Sequence, residues 1–169
     1  GIYGYGYTGS IVSMSNLVNN SGVIASDVSG VGTARKELGA AGYGNDKAIF
    51  AYGYTSSVVS MSNLVNSSGV VASDVSGVGS ARESLAAAGY GTDKAIFAYG
   101  YISAVSSLSN LVSNSGVVAS DVSGVGSARN GLSAAGYGGD KAIFAYGTTG
   151  SVTAISNLVN SSGVIGSDV

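Results

Sequence analysis

Ser68–Arg82 reads SGVVASDVSGVGSAR, and the same run stands at Ser21–Arg35 (SGVIASDVSGVGTAR) and at Ser115–Arg129. A second run, TDKAIFAYG at Thr92–Gly100, recurs as NDKAIFAYG at Asn45–Gly53 and GDKAIFAYG at Gly139–Gly147. Every copy lies 47 residues after the last, with no drift. Self-similarity at a fixed period of this size is the signature of a repeat architecture, in which each unit buries its apolar face against its neighbours. The period divides the 169 residues into a partial unit, 1–28, and three whole ones, 29–75, 76–122 and 123–169. This phase suggests an excerpt of a longer array.

Within one unit, four segments read as strands. Leu85–Tyr90 (LAAAGY) is small and apolar, and Lys94–Tyr101 (KAIFAYGY) is rich in β-formers. Val58–Val65 (VVSMSNLV) alternates with period two, which places Val59 and Met61 on one face, followed by Leu64 or Val65. Gly69–Val75 (GVVASDV) is again β-like. Turn chemistry separates them at Gly91-Thr92-Asp93, Asn66–Gly69 and Ser76–Gly79. The Ala-rich segment could instead form one helical turn, but its flanking glycines and short length favour an inner strand. Four short antiparallel strands per unit predict an all-β fold of propeller blades, with a β-solenoid as the alternative.

Composition narrows function. The chain has no Cys, His, Pro or Trp. Disulfides, thiolate nucleophiles, His-based proton transfer and the usual zinc and copper ligand sets are therefore missing, so neither an enzyme nor a metal or other cofactor is expected. Charged residues make up only 9% and the net charge is −2, which offers no basic footprint for nucleic acid. No apolar run reaches the ~18 residues of a membrane helix. A neutral exterior of Ser, Asn, Thr and Gly suits an extracellular or virion surface.

With the strands placed, the unit resembles the kelch repeat. Ala81-Arg82 stands at the Pro-Arg position of that motif and Leu85–Ala88 at its apolar strand. Asp93–Gly100 matches its turn and second strand, and Gly116–Arg129 its return to the next blade. The Gly-Gly doublet is reduced to one Gly before Tyr, and Val replaces the usual Trp. The runs are also similar to repeats in large structural proteins of environmental phages. These resemblances imply a kelch-like propeller and a virion or tail appendage component. Three units and a fraction would then need further blades or subunits to complete a ring.

Nearly all charges recur with the period; Lys36, Glu37 and Glu83 alone do not. The series Arg35, Arg82, Arg129 and the series Asp27, Asp74, Asp121, Asp168 read as structural pairs, within or between blades, that fix blade register. Asp93-Lys94 reads as a solvated hairpin tip. Of the eleven tyrosines, the Tyr52 and Tyr90 series read as packing between blades with bonded hydroxyls. Tyr7, Tyr54 and Tyr101, beside a loop and replaced by Thr148 in the last unit, are the candidate ligand contacts. The functions expected are a non-enzymatic structural or adhesive surface protein with protein partners, or a lectin-like propeller binding surface glycans. Asn19, Asn66 and Asn160 begin N-x-S acceptors, but Asn114 does not, which argues against sugar attachment as a repeated device.

Overall fold

The structure is a computed structural model that describes residues 1–169. It is all-β, without helices, and consists of four small antiparallel sheets in chain order. β1 (Ile2–Tyr7) pairs with β2 (Ile11–Leu17). The next sheet is the meander β3 (Gly39–Tyr43), β4 (Lys47–Ala51) and β5 (Ser62–Val65). It repeats as β6 (Ala86–Tyr90), β7 (Lys94–Ala98), β8 (Ser109–Val112), and as β9 (Ser133–Tyr137), β10 (Lys141–Ala145), β11 (Ser156–Val159). The registers are equivalent: Ala41 faces Ile49, Ala88 faces Ile96 and Ala135 faces Ile143.

The Ala-rich segment is thus a strand in every whole repeat. Its small residues are a packing requirement. Strands β3, β6 and β9 lie side by side, and β7 packs on β3 as β10 packs on β6. A Cβ at Gly39 would sit 2.8 Å from the Phe97 ring of the next sheet. The tight turn after each such strand places Gly44 and Asn45 at φ of 58° and 70°, and Gly91 and Thr92 at 58° and 68°.

The expected fourth strand is not continuous. Gly69–Val75 makes only two isolated bridges to β5, Val65↔Val71 and Ser62↔Val75. Those two bridges differ in register by one residue, so the ladder breaks between them. The Asn63 side chain fills the break, donating to the carbonyl of Ala72 at 2.9 Å and to Asp74 Oδ1 at 2.9 Å. The strand containing Val58–Val65 is also shorter than its alternation implied, because Val58 pairs with Tyr54 instead of continuing β5.

The core lies between successive sheets. One cluster joins Ile49 and Tyr52 to Ala95, Phe97 and Val112; the other joins Ile96 and Tyr99 to Ala142, Phe144 and Val159. No single sheet has two covered faces of its own, so each repeat depends on the next for its burial. Backbone bonds cross the same boundaries, from Gly53 N to Arg82 O (2.9 Å) and from Gly44 N to Asp93 O (2.6 Å).

Candidate functional site

Two sets of residues stand out, one invariant between repeats and one variable. The invariant set begins with a tyrosine in an uncommon backbone conformation. Tyr5, Tyr52, Tyr99 and Tyr146 have φ between 63° and 65°, a left-handed geometry that a bulky side chain avoids unless its surroundings impose it. The geometry follows the last residue of β4, β7 and β10 and sits at a register shift within β1, and it aims the rings of Tyr5, Tyr52 and Tyr99 at the following repeat. There Tyr52 meets Phe97 in a tilted pair at 5.5 Å between centroids, and its hydroxyl donates to Val78 O at 3.2 Å. The Arg82 guanidinium lies 4.2 Å from the Tyr52 ring centroid. Tyr5 and Tyr99 make the same three contacts, with Arg35 and Arg129 at 4.3 and 4.0 Å. Burial pushes the Tyr52 hydroxyl pKa up to about 12, against the partial opposition of Arg82.

All three arginines are fully buried. Arg82 donates from Nε to Tyr99 O (2.9 Å), from Nη1 to Ser80 O (3.1 Å) and from Nη2 to Asn110 Oδ1 (2.6 Å). In the flanking repeats Nη2 turns to a Phe carbonyl instead, which leaves Asn63 Oδ1 and Asn157 Oδ1 without partners. Burial pulls the Arg35 and Arg82 pKa values down, with the neighbouring Tyr and Asp opposing.

The aspartates lie in the same repeat as their arginines, at 4.0 Å for Arg35–Asp74 and Arg82–Asp121. That distance is the outer edge of an ion pair, and the pair does not span repeats. Register between repeats comes from Arg–Tyr stacking, not from Arg–Asp pairing. Each aspartate instead clasps its own repeat shut. Asp121 accepts from Ser80 N (3.1 and 3.0 Å), Ser80 Oγ (2.6 Å) and Asn110 Nδ2 (2.9 Å). Asp74 does so with Thr33 and Asn63, and Asp168 with Ser127 and Asn157. A side chain at Gly79 would collide with this clasp, hence glycine there. Asp27 is bonded only to Asn16 Nδ2, at 2.7 Å.

The N-x-S asparagines have a local role too. Asn66 Oδ1 accepts from Ser68 N and Val70 N, each at 3.0 Å, and Asn19 and Asn160 close their turns likewise. Ser113 Oγ takes this place in the remaining repeat.

The variable set occupies the end of the sheets opposite the β3–β4 type turns. Lys36, Glu83 and Asn130 are equivalent positions, as are Glu37, Ser84 and Gly131, and Tyr54, Tyr101 and Thr148. Bridges pair Lys36 with Tyr54, Glu83 with Tyr101 and Asn130 with Thr148. Bonds from Ser84 N to Glu37 O and from Gly131 N to Ser84 O, both 2.9 Å, link them into a continuous edge. On this edge Lys36 Nζ stands 5.9 Å from the Tyr7 ring and 5.4 Å from the Tyr54 ring. It also pairs with Glu37 at 3.1 Å. Tyr7 is 65% exposed and Tyr101 37%, and Tyr54 is half-buried. Tyr7 and Tyr54 are thus joined through Lys36, while Tyr101 belongs to the next pair along.

Glu37 and Ser84 lie at φ of 55° and 51°, where the third repeat has Gly131 at 61°. Glycine is the residue this backbone asks for, and two repeats carry polar side chains there instead. Ser84 Oγ donates to Glu37 Oε2 at 2.7 Å, and this bond holds the Glu37 carboxyl below its usual pKa against its own desolvation. Burial and the nearby Glu37 carboxylate push Glu83 up. Sequence reasoning did not select Lys36, Glu37 and Glu83. The signal was present, since these are the only charges that break the repeat.

No family model matches the chain, and no curated protein matches it.

Proposed function

We propose that the chain is a non-enzymatic structural or adhesive surface protein, of the kind found in a virion or tail appendage, whose repeats act as kelch-like propeller blades. One observation carries this reading. The parts that join repeats are invariant, while the Lys36/Glu37/Tyr54 edge differs in every repeat and accepts backbone strain to do so. A scaffold that repeats its joints and varies one edge is built to present that edge to a partner. The extended surface of such arrays is their usual binding face.

Tyr146 is 64% exposed, whereas Tyr52 and Tyr99 are fully buried. Its ring, in the same left-handed pose, is the contact that a further blade or subunit would cover. Electron microscopy of the full-length protein tests the arrangement: a closed ring supports the propeller, and a straight rod supports the β-solenoid.

The exposed tyrosines favour a second reading, a lectin-like module, because aromatic faces beside a charged pair suit sugar rings. A glycan array separates the two. Sugar-specific binding abolished in Tyr54→Ala and Tyr101→Ala supports the lectin. No glycan signal, together with the chain recovered from purified particles by mass spectrometry, supports the structural role. Extracellular or virion-surface placement is part of the same proposal.

A further inference from the structure

The hairpin-turn end of the sheets, opposite the variable edge, holds a second feature. A cavity of about 390 Å³ runs across three repeats there and is lined by Lys47, Lys94 and Lys141. Its lining includes no carboxylate, although the chain as a whole carries a net charge of −2. The cavity exists because Gly42, Gly89 and Gly136 put no side chain into it. The inner strands approach so closely that a Cβ at Gly89 would lie 3.4 Å from Gly42 O, and one at Gly136 3.3 Å from Gly89 O.

Each lysine has an aspartate beside it in its own turn, at 3.4, 3.8 and 2.9 Å. These pairs are solvent-exposed, so each contributes little and is open to exchange. A ligand bearing several negative charges meets three ammonium groups at once, where each aspartate meets one.

A strained residue marks the same place. Asn45, Thr92 and Gly139 occupy one position of the cavity wall, the only one in the turn that differs between repeats. All three have left-handed φ, of 70°, 68° and 81°. Asn and Gly tolerate that geometry, but a β-branched Thr is a genuine outlier. Thr92 keeps it while bonding its hydroxyl only to the adjacent Gly91 O at 2.6 Å. Strain of this kind persists where a side chain is wanted for another purpose.

We propose that this cavity is a binding site for a multiply charged oxyanion, a row of phosphate, sulfate or carboxylate groups that meets successive lysines, with Thr92 as an added hydroxyl contact. The site is independent of the variable edge and of the functional reading built on it.

Isothermal titration calorimetry of the 169-residue chain tests this with two probes, inorganic tripolyphosphate and a trisaccharide of uronic acids. Saturable binding of either, weakened by added salt, is expected. Binding of one probe alone identifies an inorganic or a glycan source. Lys94→Gln should lower affinity about tenfold, the loss of one charge-assisted contact. Thr92→Gly should lower it severalfold while leaving the melting temperature equal or higher. Lys36→Gln, on the opposite end, should leave the affinity for tripolyphosphate unchanged. No saturable binding of either probe, or binding that Lys94→Gln or Thr92→Gly leaves intact, overturns the proposal. So does equal weakening by Lys36→Gln, which would mean diffuse attraction without a site.

Discussion

The joint between repeats and the variable edge are built from neighbouring residues, yet they follow opposite rules. Arg82 and Lys36 are both cations near tyrosine rings, at 4.2 Å and 5.4 Å. Arg82 is fully buried, with each guanidinium nitrogen engaged, and recurs unchanged. Lys36 lies at the surface, and its position becomes Glu83 and then Asn130. A planar, always-charged fork suits a fixed slot of carbonyls, whereas an exposed ammonium can be exchanged without disturbing the fold. The comparison shows that the buried arginine is a structural part, whereas the charge at the Lys36 position is adjustable.

Breaking the joint should have the largest effect. Arg82→Met would leave Tyr99 O, Ser80 O and Asn110 Oδ1 without their donor, at a cost of roughly 3–5 kcal/mol in denaturant unfolding. Asp121→Asn weakens the clasp but not the joint between repeats, and should cost about 1–2 kcal/mol, since the site is partly exposed.

The clasp also sets an acid limit. Burial raises the pKa of Asp74 and Asp121, but bonds from Thr33 and Asn63, or Ser80 and Asn110, outweigh it and hold both low. Bonds from Ser127 and Asn157 lower Asp168. A depressed carboxyl pKa contributes stability that is complete above the unfolded-state value of about 3.9 and is lost as pH falls through the folded value. Thermal unfolding followed by circular dichroism should therefore weaken below about pH 4, and less so in Asp121→Asn. Tyr52 acts in the other direction: its pKa of about 12 means stability falls as pH rises above the free tyrosine value of about 10.

Smaller effects sharpen the contrast. Tyr52→Phe loses the bond to Val78 O and should cost about 1 kcal/mol, while Tyr146→Phe, on an exposed ring, should cost nothing measurable. Glu37→Gly should also be mild: relief of left-handed strain offsets the lost Ser84 bond, for a net change within about 1 kcal/mol.

Much of the strand plan could be read from the residues. The period located β3, β4 and β5 in each repeat because turn glycines and β-formers recur in step. The break in Gly69–Val75 could not be read, since it arises from the Asn63 side chain replacing a ladder bond, which no strand pattern encodes. The arginines read as structural, but their partners are mostly backbone carbonyls and a neighbouring ring, and carbonyls have no letter in a sequence. For the edge, Tyr7, Tyr54 and Tyr101 stood out as aromatics beside a loop. Lys36 between two of them emerged only when strand pairing brought residue 36 beside residue 54.

The left-handed tyrosines give the array a direction. Tyr5, Tyr52 and Tyr99 each lock forward into the following repeat and none locks backward. Such a row is a one-way series of identical teeth, each seated in the repeat ahead of it. Pulled between its ends, the chain should rupture as a series of similar force peaks.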